Sequence, residues 1–200
     1  MNFYRNRVLG WLSYSEQHII SLLAKKVQPL GVIVELGSFL GKSSVAWADN
    51  ADKTVTIYCI DFFPKNWKSN TPLYYKNETP EPNKEYNILT GFIENTKSYP
   101  NIKMIRGYSP NNFDQQNQLL FDSINNIDLF FLDALHRNPN DWDNIIHFLP
   151  KINSKGIICG HDYNHKDYPD VKTNVERLET MLGIKPTIYQ NSSIWSFQLP

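Results

Sequence analysis

Two cysteines among 200 residues are too few for a disulfide framework. Cys59 and Cys159 each lie inside an apolar, strand-like run, which fits two packed thiols in a reducing compartment. Neither sign of charge is in excess: 20 Lys and Arg face 20 Asp and Glu, for a formal net charge of +0. A chain without positive surplus has no broad basic face for a phosphate backbone, which argues against nucleic acid as the partner. No apolar run approaches the roughly 20 residues of a membrane helix. The opening MNFYRNRVLGW lacks the uninterrupted apolar centre of an export signal. The expectation is therefore a cytoplasmic chain with no membrane partner. Asn77-Glu-Thr79 and Asn191-Ser-Ser193 are then chance matches to the glycosylation tripeptide. Glycine is also scarce, 9 residues against a usual share of roughly 7%, so two glycines four residues apart mark a place worth attention.

Hydrophobic residues at 41% and charged residues at 20% describe an ordinary globular chain. The length suits one domain over 1–200 with a sizeable core. Residues 1–29 form an N-terminal helical segment, in which Ser13 and Glu16 have capping-box spacing and Ile19, Ile20, Leu22, Leu23 and Val27 form a stripe. Strand-like runs follow at Val32–Glu35, Thr54–Ile60, Ile102–Ile105, Ile127–Leu132 and Gly156–Cys159. Helical patterns lie between them, near 42–49, 85–97, 111–121 and 141–149, and again at 169–182. Thr187–Tyr189 and Ile194–Phe197 flank Gln-Asn-Ser-Ser as a terminal hairpin. This alternation predicts an α/β, Rossmann-like fold: a mainly parallel seven-stranded sheet, helices on both faces and an antiparallel C-terminal hairpin. Residues 62–85 break the rhythm with four prolines and the aromatics Phe62, Phe63, Trp67, Tyr74 and Tyr75. They read as a lid-like insertion or as a surface excursion whose aromatics pack locally.

All five parallel strands end in polar residues or glycine: Glu35 with Gly37, Asp61, Gly107 with Ser109, Asp133, and His161 with Asp162. In such sheets ligands bind beyond the carboxyl ends of the strands. The first tip, ELGSFLGKSS, is the most specific. A phosphate-wrapping P-loop needs its first glycine at position 36, which is leucine, and the loop radius does not survive a one-residue deletion. The three-glycine dinucleotide fingerprint fails at Leu36 and Ser38. The pattern acid-x-Gly-x-x-x-Gly is met by Glu35, Gly37 and Gly41.

At this point the chain resembles class I S-adenosylmethionine-dependent methyltransferases. It is most similar to small-molecule O-methyltransferases of the catechol kind and to sugar O-methyltransferases of macrolide and aminocoumarin pathways, over residues 30 to 165. The resemblance implies S-adenosylmethionine as cofactor. Glu35, Gly37, Ser38, Phe39, Gly41 and Ser43 would surround its methionine part, with backbone N–H groups receiving the carboxylate. Asp61, flanked by Phe62, would accept both ribose hydroxyls, Gly107 and Ser109 would border the adenine, and Asp133 would complete the cofactor site. The resemblance further implies a divalent metal, Mg or Mn, held by Asp133, His161 and Asp162. His161 departs from the family, which usually has a carboxylate there, and a nitrogen shifts preference away from Mg²⁺. His136 stands where the relatives place a catalytic base.

The expected reaction is methyl transfer to a hydroxyl of a small molecule, a sugar or a phenol, with a homo-oligomer allowed. Three competing readings remain at this point. They are a P-loop kinase or ATPase with Asp133 on Mg²⁺, a metal oxygenase in which His165 completes a two-histidine, one-carboxylate iron site, and a binding module without turnover.

Overall fold

A computed structural model describes residues 8–68 and 79–200. Helix α1 (Tyr14–Ala24) opens on Ser13, whose side chain and that of Glu16 form the expected reciprocal capping box. Strand β1 (Val32–Leu36) leads through the glycine turn into α2 (Lys42–Asn50) and then β2 (Thr56–Asp61). Two short strands, β3 (Trp67–Lys68) and β4 (Glu85–Tyr86), pair antiparallel as a separate ladder. They frame the segment expected to form a lid; its residues 69–78, with Tyr74 and Tyr75, lie outside the described residues. Phe63, counted with those aromatics, is a core residue whose ring packs tilted against Phe92, with centroids 4.6 Å apart. Helix α3 (Ile88–Thr96), β5 (Ile102–Tyr108), β6 (Asn112–Phe113), α4 (Gln115–Asp122), β7 (Ile127–Leu132) and α5 (Asn140–Phe148) follow. The chain closes with β8 (Ile152–Gly160), α6 (Pro169–Leu182), β9 (Thr187–Ile188) and β10 (Trp195–Gln198). No helix among the described residues is long and apolar enough to cross a membrane.

The main sheet has the order β6-β5-β2-β1-β7-β8-β10-β9. Strands β5, β2, β1, β7 and β8 are mutually parallel, and β10 and β9 form the expected antiparallel hairpin. The sheet thus holds eight strands rather than seven. The extra one, β6, is a two-residue edge strand that turns back on β5, pairing Gly107 with Phe113. A Cβ at Gly107 would sit 2.0 Å from Phe113 Cδ1, so only glycine lets that ring lie against the strand. This local device has no signal in strand periodicity.

Each face of the sheet has its own core. One face carries Ile33, Cys59 and Phe131 against Ile20 and Leu23 of α1, Trp47 of α2 and Phe92 of α3. The other carries Val34, Ile60 and Phe130 against Phe121 of α4, Phe148 of α5 and Val175 of α6. The near-continuous apolar runs of β1 and β7 follow from burial on both faces. Cys59 and Cys159 are buried and free. Their strands stand three places apart in the sheet, about 14 Å at ~4.8 Å per strand, far beyond disulfide reach.

Candidate active site

Chain order reverses between β1 and β7, so a crevice opens beyond their carboxyl ends. Leu36 is in register with Ile60 on one side and Leu132 on the other, and Leu132 with Gly160. The ladder continues one residue past the strands: Gly37 N–H donates to Ile60, Asp133 N–H to Leu36 and His161 N–H to Leu132. Asp61, Gly37, Asp133 and His161 therefore stand side by side along one edge. Gly37 has a φ of +87°, and a Cβ there would lie 1.8 Å from the Asp133 carbonyl oxygen. The two central tips approach so closely that no side chain fits between them.

The turn itself divides into exposed and buried parts. Glu35 is 0% exposed and sits one row inside the sheet, on the face covered by α2. Its carboxylate accepts from Trp47 Nε1 at 3.1 Å and from the Ser44 hydroxyl. Burial pushes its pKa up, opposed by the hydroxyls of Ser43, Ser44 and Ser38. Glu35, expected beside the methionine part of the cofactor, has no accessible surface and anchors α2 beneath the turn. Ser38, Gly41 and Ser43 are also buried, leaving the backbone of the turn and Phe39 nearest the crevice. Gly41, the residue before α2, has no side chain with which to cap the helix. Such a helix start suits an anionic group.

Asp61 accepts from Phe39 N–H at 2.9 Å through one oxygen and from Phe63 N–H at 2.8 Å through the other. A carboxylate oxygen has two acceptor directions, so the group keeps acceptor capacity for a ligand. Burial raises the Asp61 pKa against the opposing N–H groups. Phe62 beside it is exposed. Ser109 donates its hydroxyl to Asn144 at 2.6 Å, and its carbonyl accepts from Asn140 Nδ2 at 2.8 Å. The β5 tip, with Gly107 at its end, is thereby held against α5. Around Phe39 a cluster of partly buried rings gathers: Trp11 at 5.2 Å, Trp67 at 4.9 Å, and Tyr86 at 6.3 Å from Trp67.

The acid and imidazole groups meet at the β7 and β8 tips. His136 Nε2 lies 3.2 Å from Asp162 and 3.4 Å from Asp133. Its backbone N–H donates to buried Asp141, and its ring packs on Tyr168. Burial presses the His136 pKa down, but Asp133, Asp162 and Asp141 outweigh it, and the net shift is upward. Burial also pushes Asp141 up, to about 6. His161 Nδ1 lies 3.3 Å from Asp162 and 3.7 Å from Asp133, with Nε2 3.1 Å from Glu16. The expected metal ligands were Asp133, His161 and Asp162. Among the described residues, the group whose ligand atoms all lie within 4.8 Å of one another is Asp133, His136 and Asp162. His161 adjoins it through the two carboxylates. His165 is turned to Tyr168, stacked at 4.7 Å, and does not join the group, contrary to the iron-site reading.

A methyltransferase-domain family matches residues 34–163. The chain belongs to that family. No curated protein sequence matches this methyltransferase. Among solved structures it is similar to the O-methyltransferase NovP, with 15% identity, 92% of this chain and 79% of that one covered, and a TM-score of 0.63. The calicheamicin methyltransferase CalS11 aligns at 12% identity over 94% of this chain and 80% of its own, with a TM-score of 0.66. An rRNA methylase from Streptococcus thermophilus aligns at 12% identity over 96% and 100%, at 0.60. At such identities the likeness establishes the fold, an α/β Rossmann-like methyltransferase fold, and the family implies S-adenosylmethionine as the methyl donor. The P-loop reading falls with it.

Several residues of this edge escaped the sequence reading. Glu16 has a complete local explanation as a capping-box acid, which hides its reach to His161. Trp11 and Tyr86 lie far from any motif and are brought in only by tertiary packing. Asp141 reads as an N-terminal helix acid and is instead buried against His136.

Proposed function

We propose that this methyltransferase moves the methyl group of S-adenosylmethionine to a hydroxyl of a small molecule, a sugar or a phenol. The observation that carries the reading is the single row of Gly37, Asp61, Asp133 and His161 along the crevice, with His136 beside its acidic end. The Asp61 carboxylate keeps acceptor capacity for the ribose hydroxyls beside its bonds to Phe39 and Phe63, and the start of α2, where a glycine stands at the cap, suits the methionine carboxylate. Phe62 and the Ser109 tip border the adenine.

The cofactor's sulfonium carries its own leaving group, so the protein has to align the acceptor oxygen and remove its proton. His136 takes that proton on Nε2; the carboxylates around it stabilise the imidazolium that forms. The rings of Trp11, Phe39, Trp67 and Tyr86, packed tilted and edge-to-face, give an apolar aromatic cluster against which a sugar or phenol ring can pack. The carboxylates of Asp133 and Asp162 would hold a divalent cation, and the nitrogen within 4.8 Å of both is that of His136, so cation and proton compete for that imidazole. With an imidazole nitrogen among its ligands the site favours Mn²⁺ over Mg²⁺. A bound cation supplies positive charge that acidifies the acceptor hydroxyl.

Calorimetry should show S-adenosylmethionine and S-adenosylhomocysteine binding, and labelled methyl groups should appear on a sugar or catechol in an acceptor panel. Absence of cofactor binding overturns the reading. Methylation confined to carbon or nitrogen acceptors overturns its hydroxyl part, and undiminished activity in EDTA removes the cation.

A further inference from the structure

Between Ser109 and Asn144 the direction of one hydrogen bond is fixed by its neighbours. Ser109 stands in the turn after β5, partly exposed, and Asn144 lies in the second turn of α5, only 1% exposed. The Asn144 amide has one tenable orientation. Its Nδ2 faces three acceptors: the Asn140 carbonyl at 2.9 Å, Asn140 Oδ1 at 3.2 Å and the Ser109 carbonyl at 3.3 Å. Turning the amide over would set its oxygen against those oxygens instead. Oδ1 therefore faces Ser109 Oγ, 2.6 Å away. An amide oxygen only accepts, so the single hydroxyl proton of Ser109 is committed to Asn144. Asn140 Nδ2 holds the same residue by its backbone, donating to the Ser109 carbonyl at 2.8 Å.

With that proton spent, Ser109 Oγ has only lone pairs to offer a ligand, and a group that meets it must bring its own hydrogen. Asp61 pairs with Arg106 in the ladder, so Phe62 and Ser109 follow on neighbouring strand tips. The Phe62 ring is 58% exposed, a surface on which a flat base can stack. An adenine lying there carries an exocyclic amino group, a donor that Ser109 can accept. Hypoxanthine or guanine carries a carbonyl oxygen at the same ring position, lone pair against lone pair. We propose that Asn144 is a positioning residue that sets base selectivity: by taking the Ser109 proton it makes the β5 tip an acceptor, which admits an amino purine and rejects a keto purine. The proposal rests on the cofactor placement above, with Ser109 at the adenine.

The test compares S-adenosylhomocysteine with its deaminated counterpart, S-inosylhomocysteine, by calorimetry on the full chain and its Asn144→Leu and Ser109→Ala variants. Deamination also puts a hydrogen on a ring nitrogen, so the informative quantity is how the ratio of the two affinities changes between chains. The wild type is expected to favour S-adenosylhomocysteine roughly 10-fold or more, the size of one mismatched hydrogen bond. In Asn144→Leu the Ser109 hydroxyl can turn and donate, and in Ser109→Ala it is gone; both should cut the ratio roughly 3-fold or more. A ratio kept in the variants, whatever the loss in affinity for both compounds, makes Asn144 a structural clamp and overturns the proposal. Equal wild-type affinity for the two compounds overturns the proposal and leaves the cofactor reading standing. A wild-type chain that binds neither overturns the cofactor reading and the proposal with it. Neutron diffraction from the wild-type complex with S-adenosylhomocysteine needs no variant. The Ser109 deuterium should lie toward Asn144 Oδ1, with the adenine amino group donating to Oγ; a deuterium directed at the base, or an amino group out of reach of Oγ, refutes the proposal.

Discussion

Replacing Asp61 by alanine removes two things at once, and their sizes can be worked out separately. The carboxylate closes the turn by accepting from Phe39 and Phe63 N–H groups, and it keeps acceptor capacity for the ribose. Hydrogen bonds to a charged acceptor contribute about 1.5–3 kcal/mol each, so losing both ribose contacts costs about 3–6 kcal/mol of cofactor binding. At ~1.4 kcal/mol per tenfold that is a loss of roughly 10² to 10⁴ in affinity. The fold loses less, because removing a buried carboxylate relieves a desolvation cost that offsets part of the two orphaned N–H groups. Calorimetry with S-adenosylhomocysteine, run beside thermal unfolding, separates the two effects. A cofactor analogue lacking the ribose 2′-hydroxyl sharpens the test: it should bind more weakly than the parent compound to the wild type and equally to Asp61→Ala, the signature of a direct contact in a double-mutant cycle. A folded Asp61→Ala chain within threefold of wild-type affinity would refute the placement of the ribose.

Gly37→Ala should destabilise the chain by about 3–5 kcal/mol, because the new Cβ meets the Asp133 carbonyl at 1.8 Å at a φ of +87°; an unchanged urea midpoint would contradict the close approach of β1 and β7. His136→Ala should lower turnover about 10²- to 10⁴-fold with S-adenosylhomocysteine affinity intact, and a parallel loss of Mn²⁺ affinity would make His136 a ligand instead of the base. Glu35→Gln should raise stability near neutral pH by about 1 kcal/mol. Glu35 has its pKa raised by burial, so its contribution is most favourable in acid and is lost as pH rises through the folded value. The advantage of glutamine should therefore shrink as pH falls toward 4, and an advantage constant with pH would refute the burial penalty.

Periodicity and turn chemistry made most of the fold legible. Cap, stripe and breaker placed α1, α5 and α6 within a few residues, and apolar runs placed the five parallel strands, because both signals are local. The β8 strand begins earlier than its apolar stretch, at Ile152, since polar residues enter the ladder beside β7. Strand β6 was illegible, as it depends on a ring lying over Gly107. At the site, the residue types and their order along five tips could be read, but the direction of each side chain could not. Glu35 and Asp61 look alike in sequence, each an acid at the end of an apolar run. One extra residue before the strand end turns Glu35 into the core under α2, whereas Asp61 ends its strand and faces the edge.

The amino-acid order alone therefore determined the alternating architecture, the family-like glycine turn and the set of polar tips, all of which are written in neighbouring residues. Only the tertiary structure decided which nitrogen and oxygen atoms meet. Glu16 reaches His161, and Trp11 reaches Phe39 and Trp67, across gaps that no local pattern spans. Those meetings depend on strand register and helix docking, and a shift of one residue in either would turn the same side chains away from one another.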